Sequence, residues 1–235
     1  MDKKFKVLVG ILIILVLAGP ILYKYGQKLK EESKPTYVIT NDSLQFESEY
    51  ENLNNTENSN GDKYLTVNIP AYVPVEYTTY EKIFAILERG NGVIYFGFPE
   101  SPWCRNLTPV LANAALDYGL ETIYYISNQD DRNTLSLNKK KKIITDKKGA
   151  DDYLKLIDLL DEFLPEYRGL NDKTIKRLYF PTVLFVVSGE VIGLEQSLSS
   201  YSKRVDDNPY LPMTTEEKDE LASIFTEYFN KVQPK

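Results

Sequence analysis

The chain has 235 residues, 43% of them hydrophobic, which allows one full hydrophobic core with appended segments. Its net charge of −6 argues against a nucleic-acid partner, because a polyanionic backbone requires a basic protein face. Because the chain has no histidine and one cysteine, histidine-based catalytic triads, most zinc sites and an internal disulfide are excluded, and we expect neither a metal nor a cofactor.

The N-terminal segment is predicted to be a membrane anchor. Residues 7–23 form a continuous apolar run with lysines on both sides. At ~1.5 Å per residue the run spans about 25 Å, and the flanking lysines can extend to the interface to cover the ~30 Å hydrocarbon core. The alternative is a signal peptide cleaved near Ala18. We favour an uncleaved anchor over residues 1–30, because the apolar run continues to Tyr23, with the domain on the extracytoplasmic side.

Residues 31–62 are rich in Asn, Glu and Ser, and a flexible polar spacer is expected there. Apart from residues 37–39 this segment has few apolar side chains, so burial cannot offset the entropy lost on ordering. The folded domain is therefore expected over residues 63–235.

The first elements of the domain are predicted to be a strand, a helix and a buried strand. The first strand is placed at residues 72–76. Thr78 and Glu81 form a capping-box pattern that begins the helix, and Gly90 ends it. Residues 93–98 are an apolar run of β-branched and aromatic residues, which is typical of a buried central strand.

The single cysteine follows this strand. Pro99 breaks the strand, residues 101–104 read Ser-Pro-Trp-Cys, and a helical pattern then runs to Tyr118 and Gly119. This strand, turn and helix resemble the active-site turn of the thioredoxin superfamily, which has a C-x-x-C pattern there. Pro109 matches the proline that the family has five residues after its second cysteine.

A second part of the resemblance lies downstream. Phe180, Pro181 and Thr182 resemble the family's cis-proline loop, and the resemblance implies a cis bond before Pro181. A strand at residues 182–187, a Ser-Gly turn and a strand at residues 191–194 then form a hairpin pattern.

The resemblance covers about residues 72–232. It implies an α/β, thioredoxin-like fold with a central mixed sheet and helices on both faces, here joined to an N-terminal transmembrane helix. A strand at residues 122–126 is expected parallel to the central strand. An insertion at about residues 127–178 exceeds the family's minimal fold.

Within the insertion, residues 128–148 are predicted to be a polar loop, whose Lys139–Lys142 run is interpreted as solvated. Residues 151–164 are predicted to be a helix, which either packs on the sheet or forms a partner-binding rim. The C-terminal helix is expected to begin with a capping box formed by Thr214 and Glu217.

The resemblance makes Ser101 and Cys104 the candidate catalytic pair, with Ser101 in the place of the missing attacking cysteine. In the family that cysteine lies at a helix N-terminus, which stabilises its thiolate. A serine hydroxyl has far too high a pKa to replace it, and Tyr95 stands where the family has a buried acid. Independent dithiol–disulfide exchange is therefore not expected.

Three functions follow as hypotheses. The first is a redox-silent module that binds a protein or peptide partner beside Trp103 and Pro181, with Pro102 and Phe180 as further binding residues. The second is a single-thiol redox protein in which Cys104 pairs with an external thiol. The third is an accessory protein of secretion, because the run around the cysteine resembles small bacterial thioredoxin-like proteins of bacteriocin export. The simplest interpretation of Cys104 is that it serves only as a small buried hydrophobic residue.

The anchor hypothesis has a direct test. Protease added to intact cells should remove the domain and leave a membrane-bound stub, because the domain is predicted to lie outside the cytoplasm. Immunodetection with tags at both ends of the chain measures the two fragments. Protection of the whole chain would place the domain inside, and release of an intact soluble form would favour cleavage near Ala18.

Overall fold

A five-stranded mixed sheet forms the centre of the structure, a computed structural model that describes residues 37–206 and 208–235. The strands of this part of the chain are β1 (Val75–Tyr77), β2 (Gly92–Phe96), β3 (Ile123–Ile126), β4 (Thr134–Leu137), β5 (Ile143–Lys147), β6 (Thr182–Val187) and β7 (Glu190–Glu195). The central sheet has the order β1-β3-β2-β6-β7, and β4 and β5 form a separate hairpin. β3 is parallel to both β1 and β2, whereas β6 is antiparallel to β2 and β7.

Helices cover both faces of the sheet. They are α1 (Asn41–Glu51), α2 (Tyr80–Arg89), α3 (Pro102–Tyr118), α4 (Asp151–Leu159), α5 (Ser199–Arg204) and α6 (Thr215–Val232). On one face Tyr95 of β2 bonds to side chains of α1 and α3, and Phe185 of β6 stacks on Tyr228 of α6 with ring centroids 4.4 Å apart. On the other face α2 packs over Tyr124 of β3 and against α4. The predicted mixed α/β sheet is confirmed.

The middle strand β2 and its neighbour β6 consist almost entirely of apolar and aromatic residues, because both of their faces are covered. β2 is buried at every position, and β6 is buried except at its last residue. The strand predicted at residues 182–187 is observed with those bounds, and those at 93–98, 122–126 and 191–194 are observed with ends shifted by one or two residues.

Two predicted helix ends are confirmed. Thr214 and Glu217 form a reciprocal capping box at the start of α6. Gly119 ends α3 in the left-handed conformation, at φ +83°, which glycine adopts without the steric cost of a Cβ atom.

α2 begins one residue later than predicted. The Thr79 hydroxyl, not that of Thr78, accepts the amide N–H of Lys82, at 3.4 Å. The amide of Thr78 still donates to the carbonyl of Tyr125, at 2.9 Å, so this residue continues the pairing of β1 with β3 and cannot serve as the cap.

The expected flexible spacer at residues 31–62 is wrong for the part that the structure describes. α1 lies within it and packs on the sheet through Phe46, which is 2% exposed, and Tyr50, which is fully buried. The ring of Phe46 lies 4.8 Å from that of Tyr125 on β3. These two aromatic side chains bind the helix to the sheet together with polar contacts, such as the hydrogen bond from the Tyr77 amide to the Asp42 carboxylate at 2.8 Å.

The polar loop expected at residues 128–148 is also wrong in part, because it contains the β4–β5 hairpin. β5 is exposed along its length, so the hairpin has no alternation of buried and exposed side chains by which to recognise it. The lysine run lies at its exposed tip, as interpreted. α4 ends at Leu159 rather than at residue 164 and buries Tyr153 and Leu156.

The predicted anchor at residues 7–23 lies outside the described residues. Among residues 37–206 and 208–235, none of the helices combines the length and the apolar character that crossing a bilayer requires.

The role of α1 predicts a difference between two substitutions on the same helix. Phe46→Ala should lower the free energy of unfolding by about 3–5 kcal/mol, because it leaves a cavity among aromatic rings. Leu44→Ala is the matched control, because Leu44 is 46% exposed, and it should change stability by less than about 0.5 kcal/mol. Urea unfolding of both variants measures the difference. Equal, small effects would mean that α1 is not part of the core.

Candidate functional site

The candidate site is the turn between β2 and α3. Ser101 is the N-cap of α3, and its hydroxyl oxygen accepts the amide N–H of Cys104 at 3.3 Å. Pro102 occupies the first turn of the helix, where its missing N–H costs no hydrogen bond. The sequence therefore places a helix N-terminus at this turn, as predicted, and Ser101 uses one of its free backbone donors.

Cys104 is the third residue of this helix, in its first turn, and is fully buried. Burial raises the pKa of its thiol, and hydrogen bonding to the Ser101 side chain, the Phe98 backbone and the Tyr95 side chain offsets only part of that rise. The thiol is therefore protonated at neutral pH, and neither nucleophilic attack nor metal binding is available to it in this state.

A buried hydroxyl cluster lies beneath the cysteine. The Tyr95 hydroxyl is 2.9 Å from that of Tyr50 and 2.7 Å from the Thr108 hydroxyl. Burial raises the pKa of Tyr95 well above its usual value, so this residue does not exchange protons near neutral pH as a buried acid would. Gly97 is required beside it, because a Cβ atom there would lie 2.3 Å from the Tyr95 hydroxyl oxygen.

Arg105, the residue after the cysteine, is buried, with 1% of its surface exposed. Its guanidinium donates to the carbonyl of Leu65 at 2.6 Å, to that of Tyr50 at 2.8 Å and to that of Pro99 at 3.2 Å. A fourth bond runs to the side-chain oxygen of Asn54, at 2.6 Å. The guanidinium thus joins the segment before β1 to the turn.

Asn106 makes the matching connection on the other side of α3. Its amide nitrogen donates to the Tyr201 hydroxyl at 2.8 Å and to the Pro209 carbonyl at 2.9 Å. Its oxygen accepts the amide N–H of Met213 at 3.0 Å. The segment between α5 and α6 is therefore bound to the same helical turn as Cys104.

A cleft opens beside the turn. Its volume is about 300 Å³, and it is lined by Trp103, Arg168, Tyr179, Phe180, Pro181, Gln196, Ser197, Ser199 and Ser202. The bond between Phe180 and Pro181 is cis, which confirms that prediction. The indole of Trp103 packs edge-on against Tyr201, with ring centroids 5.6 Å apart, and leaves part of its surface exposed.

The structure brings together most of the predicted site residues. Trp103, Phe180 and Pro181 share the cleft, whereas Pro102 does not line it. Sequence reasoning missed Arg105 and Asn106, for which the only available signal was their position directly after Cys104. It also missed Arg168, which belongs to the insertion.

Known proteins add no assignment, since no protein-family model and no curated protein matches this sequence. No cluster of three or more metal-ligating side chains occurs among residues 37–206 and 208–235. The arrangement offers two features: a buried, protonated thiol, and an open cleft of aromatic, hydroxyl and cationic groups beside it.

The burial of Cys104 predicts how it reacts. Ellman's reagent should label the folded chain at least tenfold more slowly than the urea-unfolded chain, roughly the effect of losing exposure and thiolate character together. Raising the pH through the ordinary thiol pKa of ~8.5 should accelerate labelling of the unfolded chain only. Because the folded-state pKa is raised, the thiol's contribution to stability is present below that pH and is lost above it.

The control for this experiment is a chain carrying Cys104→Ser together with Ser200→Cys, since Ser200 is exposed on α5. That chain should be labelled rapidly while folded. Rapid, stoichiometric labelling of the unmodified folded chain near neutral pH would contradict the protonated, buried thiol.

Proposed function

We propose that this chain is a membrane-tethered, thioredoxin-like protein whose incomplete S-x-x-C site performs no independent dithiol–disulfide exchange. It acts instead as a binding or accessory module for a protein or peptide partner. One arrangement carries this proposal. The Ser101 hydroxyl caps α3 and the Cys104 thiol is buried, whereas the cleft beside Trp103 and Pro181 is open.

The fold supports the thioredoxin-like assignment through several independent features. The strand that leads into the turn, β2, is the middle strand of the sheet. A cis-proline, Pro181, directly precedes β6, which pairs with β2. Phe98, just after β2, contacts Phe180 with ring centroids 5.4 Å apart, so the two loops meet.

The chemistry of exchange explains why redox activity is not part of the proposal. A thiolate must attack a substrate disulfide, and a second thiolate must then release the mixed disulfide that forms. Among the residues of this turn Cys104 is the only sulfur, and its pKa is raised by burial. The Ser101 hydroxyl cannot carry out the attack, since it has no base such as histidine to activate it.

The cleft favours an extended peptide as the partner. Trp103, Phe180 and Pro181 offer flat apolar surface, and Gln196 and the serines offer hydrogen-bonding groups along the same wall. Binding sites of this kind combine an apolar lining with a few polar groups that fix orientation.

The second candidate is a single-thiol redox protein that uses Cys104. The position of Cys104 in the first turn of α3 favours it, because a helix N-terminus stabilises a thiolate. Its complete burial opposes it, since an external thiol partner would have to displace the turn to reach the sulfur.

The proposal predicts that the frame of the site still suits an attacking thiol. Ser101→Cys should have a thiol pKa below the free value of ~8.5, because the helix end favours the thiolate. It should form a disulfide with Cys104 and gain disulfide reductase activity, whereas the unmodified chain shows essentially none. Loss of the cap should also lower stability by about 1 kcal/mol.

An insulin-reduction assay on the unmodified chain, on Ser101→Cys and on Ser101→Cys combined with Cys104→Ser measures this gain. The double variant should lack steady turnover because no resolving thiol remains. Activity in the unmodified chain would contradict the hypothesis that its S-x-x-C site performs no independent dithiol–disulfide exchange. A folded Ser101→Cys variant that neither forms the bond nor turns over would mean that the site has diverged for another use.

A further inference from the structure

Three arginines surround the loop that forms one wall of the cleft. They are Arg132, Arg168 and Arg177, and the ion pairs found within residues 37–206 and 208–235 do not include any of them. Each guanidinium lies over an aromatic ring instead. The distances from Cζ to the ring centroid are 4.7 Å for Arg132 over Phe180, 5.4 Å for Arg168 over Tyr179 and 4.3 Å for Arg177 over Tyr167.

Two of these arginines are poorly satisfied within the chain. Arg177 is 9% exposed, and the one hydrogen bond that its guanidinium makes within residues 37–206 and 208–235 is long, at 3.5 Å to the carbonyl of Asn133. In the same part of the chain the buried Nε atom of Arg132 has no hydrogen-bond partner. Burial and then the charge of Arg177 lower the pKa of Arg132, as expected for two close cations without a counter-ion.

Contact with aromatic rings stabilises a cation but does not neutralise it. The wall that carries Tyr179 and Phe180 therefore keeps an uncompensated positive charge, on a chain whose net charge is −6. Arg168 brings this charge into the cleft itself, since it lines the cleft and is exposed.

We propose that the cleft binds an acidic peptide segment, with carboxylates on Arg168 and apolar side chains on Trp103 and Pro181. This inference rests on the proposed function, that the cleft is a peptide site, and it adds the chemistry of the partner. Arg132 and Arg177 lie behind the aromatic rings of this wall and contribute positive potential rather than direct contacts.

The observations favour a peptide over a small free anion. The cleft is open, about 300 Å³ in volume, and its lining combines aromatic surface with hydroxyl groups. A free phosphate would use the cation alone, whereas an acidic peptide would use every wall. The lysine run 139–142 at the tip of the β4–β5 hairpin is also positive, but it lacks the aromatic surface that the cleft offers beside Arg168.

The test uses the full chain and three fluorescein-labelled octapeptides of alternating sequence, Glu-Leu, Gln-Leu and Lys-Leu, followed by fluorescence anisotropy. The Glu-Leu probe should bind roughly tenfold more tightly than the Gln-Leu probe at low salt, and this preference should shrink as salt is added. Arg168→Gln should weaken binding of the Glu-Leu probe by about two- to fivefold and leave the Gln-Leu probe unchanged.

The matched control is Arg89→Gln, which makes the same charge change at an exposed position at the end of α2 and should alter no affinity. Trp103→Ala should weaken the binding of all three probes. Equal affinity for the Glu-Leu and Gln-Leu probes, with binding still dependent on Trp103, would refute the acidic preference and leave the peptide site standing. Binding that does not depend on Trp103 would refute the proposed function itself.

Competition with inorganic phosphate at matched ionic strength distinguishes a site for acidic peptides from a site for small free anions. If phosphate displaces the Glu-Leu probe completely, and binding of that probe depends on Arg168 but not on Trp103, the arginines form a small-anion site and the peptide proposal is wrong. Retention of the probe in phosphate, together with the Arg168 effect, supports the acidic peptide.

Discussion

The guanidinium of Arg105 holds together three parts of the chain that are distant in sequence. It is buried, and its hydrogen-bond acceptors in the described part of the chain are the carbonyls of Tyr50, Leu65 and Pro99 and the side-chain oxygen of Asn54. Burying a cation is costly unless its donors are satisfied, and the planar, forked arrangement of donors on arginine suits several acceptors at once. The segment before β1 and the loop after β2 consequently keep their positions only together with α3.

The neighbouring Asn106 extends this arrangement to the cleft. The hydroxyl of Tyr201 accepts a hydrogen bond from Asn106 and donates one to the Leu211 carbonyl at 2.7 Å, while its ring packs against Trp103. The partly exposed indole of Trp103 on α3 thus packs against a ring that a fixed polar network holds in place. A binding surface of this kind is organised before a partner arrives, which reduces the entropy lost on binding.

The sequence was most informative where a local rule determines the structure. The apolar runs of β2 and β6 and the cap at Thr214 depend on neighbouring residues alone, and all three were predicted correctly. α1 was missed because its composition is mostly polar. Phe46 and Tyr50 can be buried only against the hydrophobic face of the sheet, which exists only once the sheet has formed. Composition alone cannot show whether such a surface exists.

In the candidate site, too, features set by local sequence were predicted, and features that depend on distant residues were missed. The turn, its cap and the cis bond at Pro181 followed from short patterns. The role of Arg105 did not, because a charged residue in a helix is normally expected to face solvent, and its acceptors lie as far back in the chain as Tyr50. Arg168 was missed for a similar reason, since only the folded chain brings it next to Pro181.

The attachment of Tyr37 has a mechanical consequence. This residue, the first that the structure describes, donates from its hydroxyl to the carbonyls of Ala115 at 3.1 Å and Leu120 at 3.0 Å, at the C-terminal end of α3. If the preceding chain is tethered to a membrane, tension on the tether would load these bonds first, at the end of α3 that is remote from Trp103 and the cleft. It would then reach the sheet through α1, whose Asp42 and Phe46 contact β1 and β3, so the cleft lies at the end of α3 away from the pull.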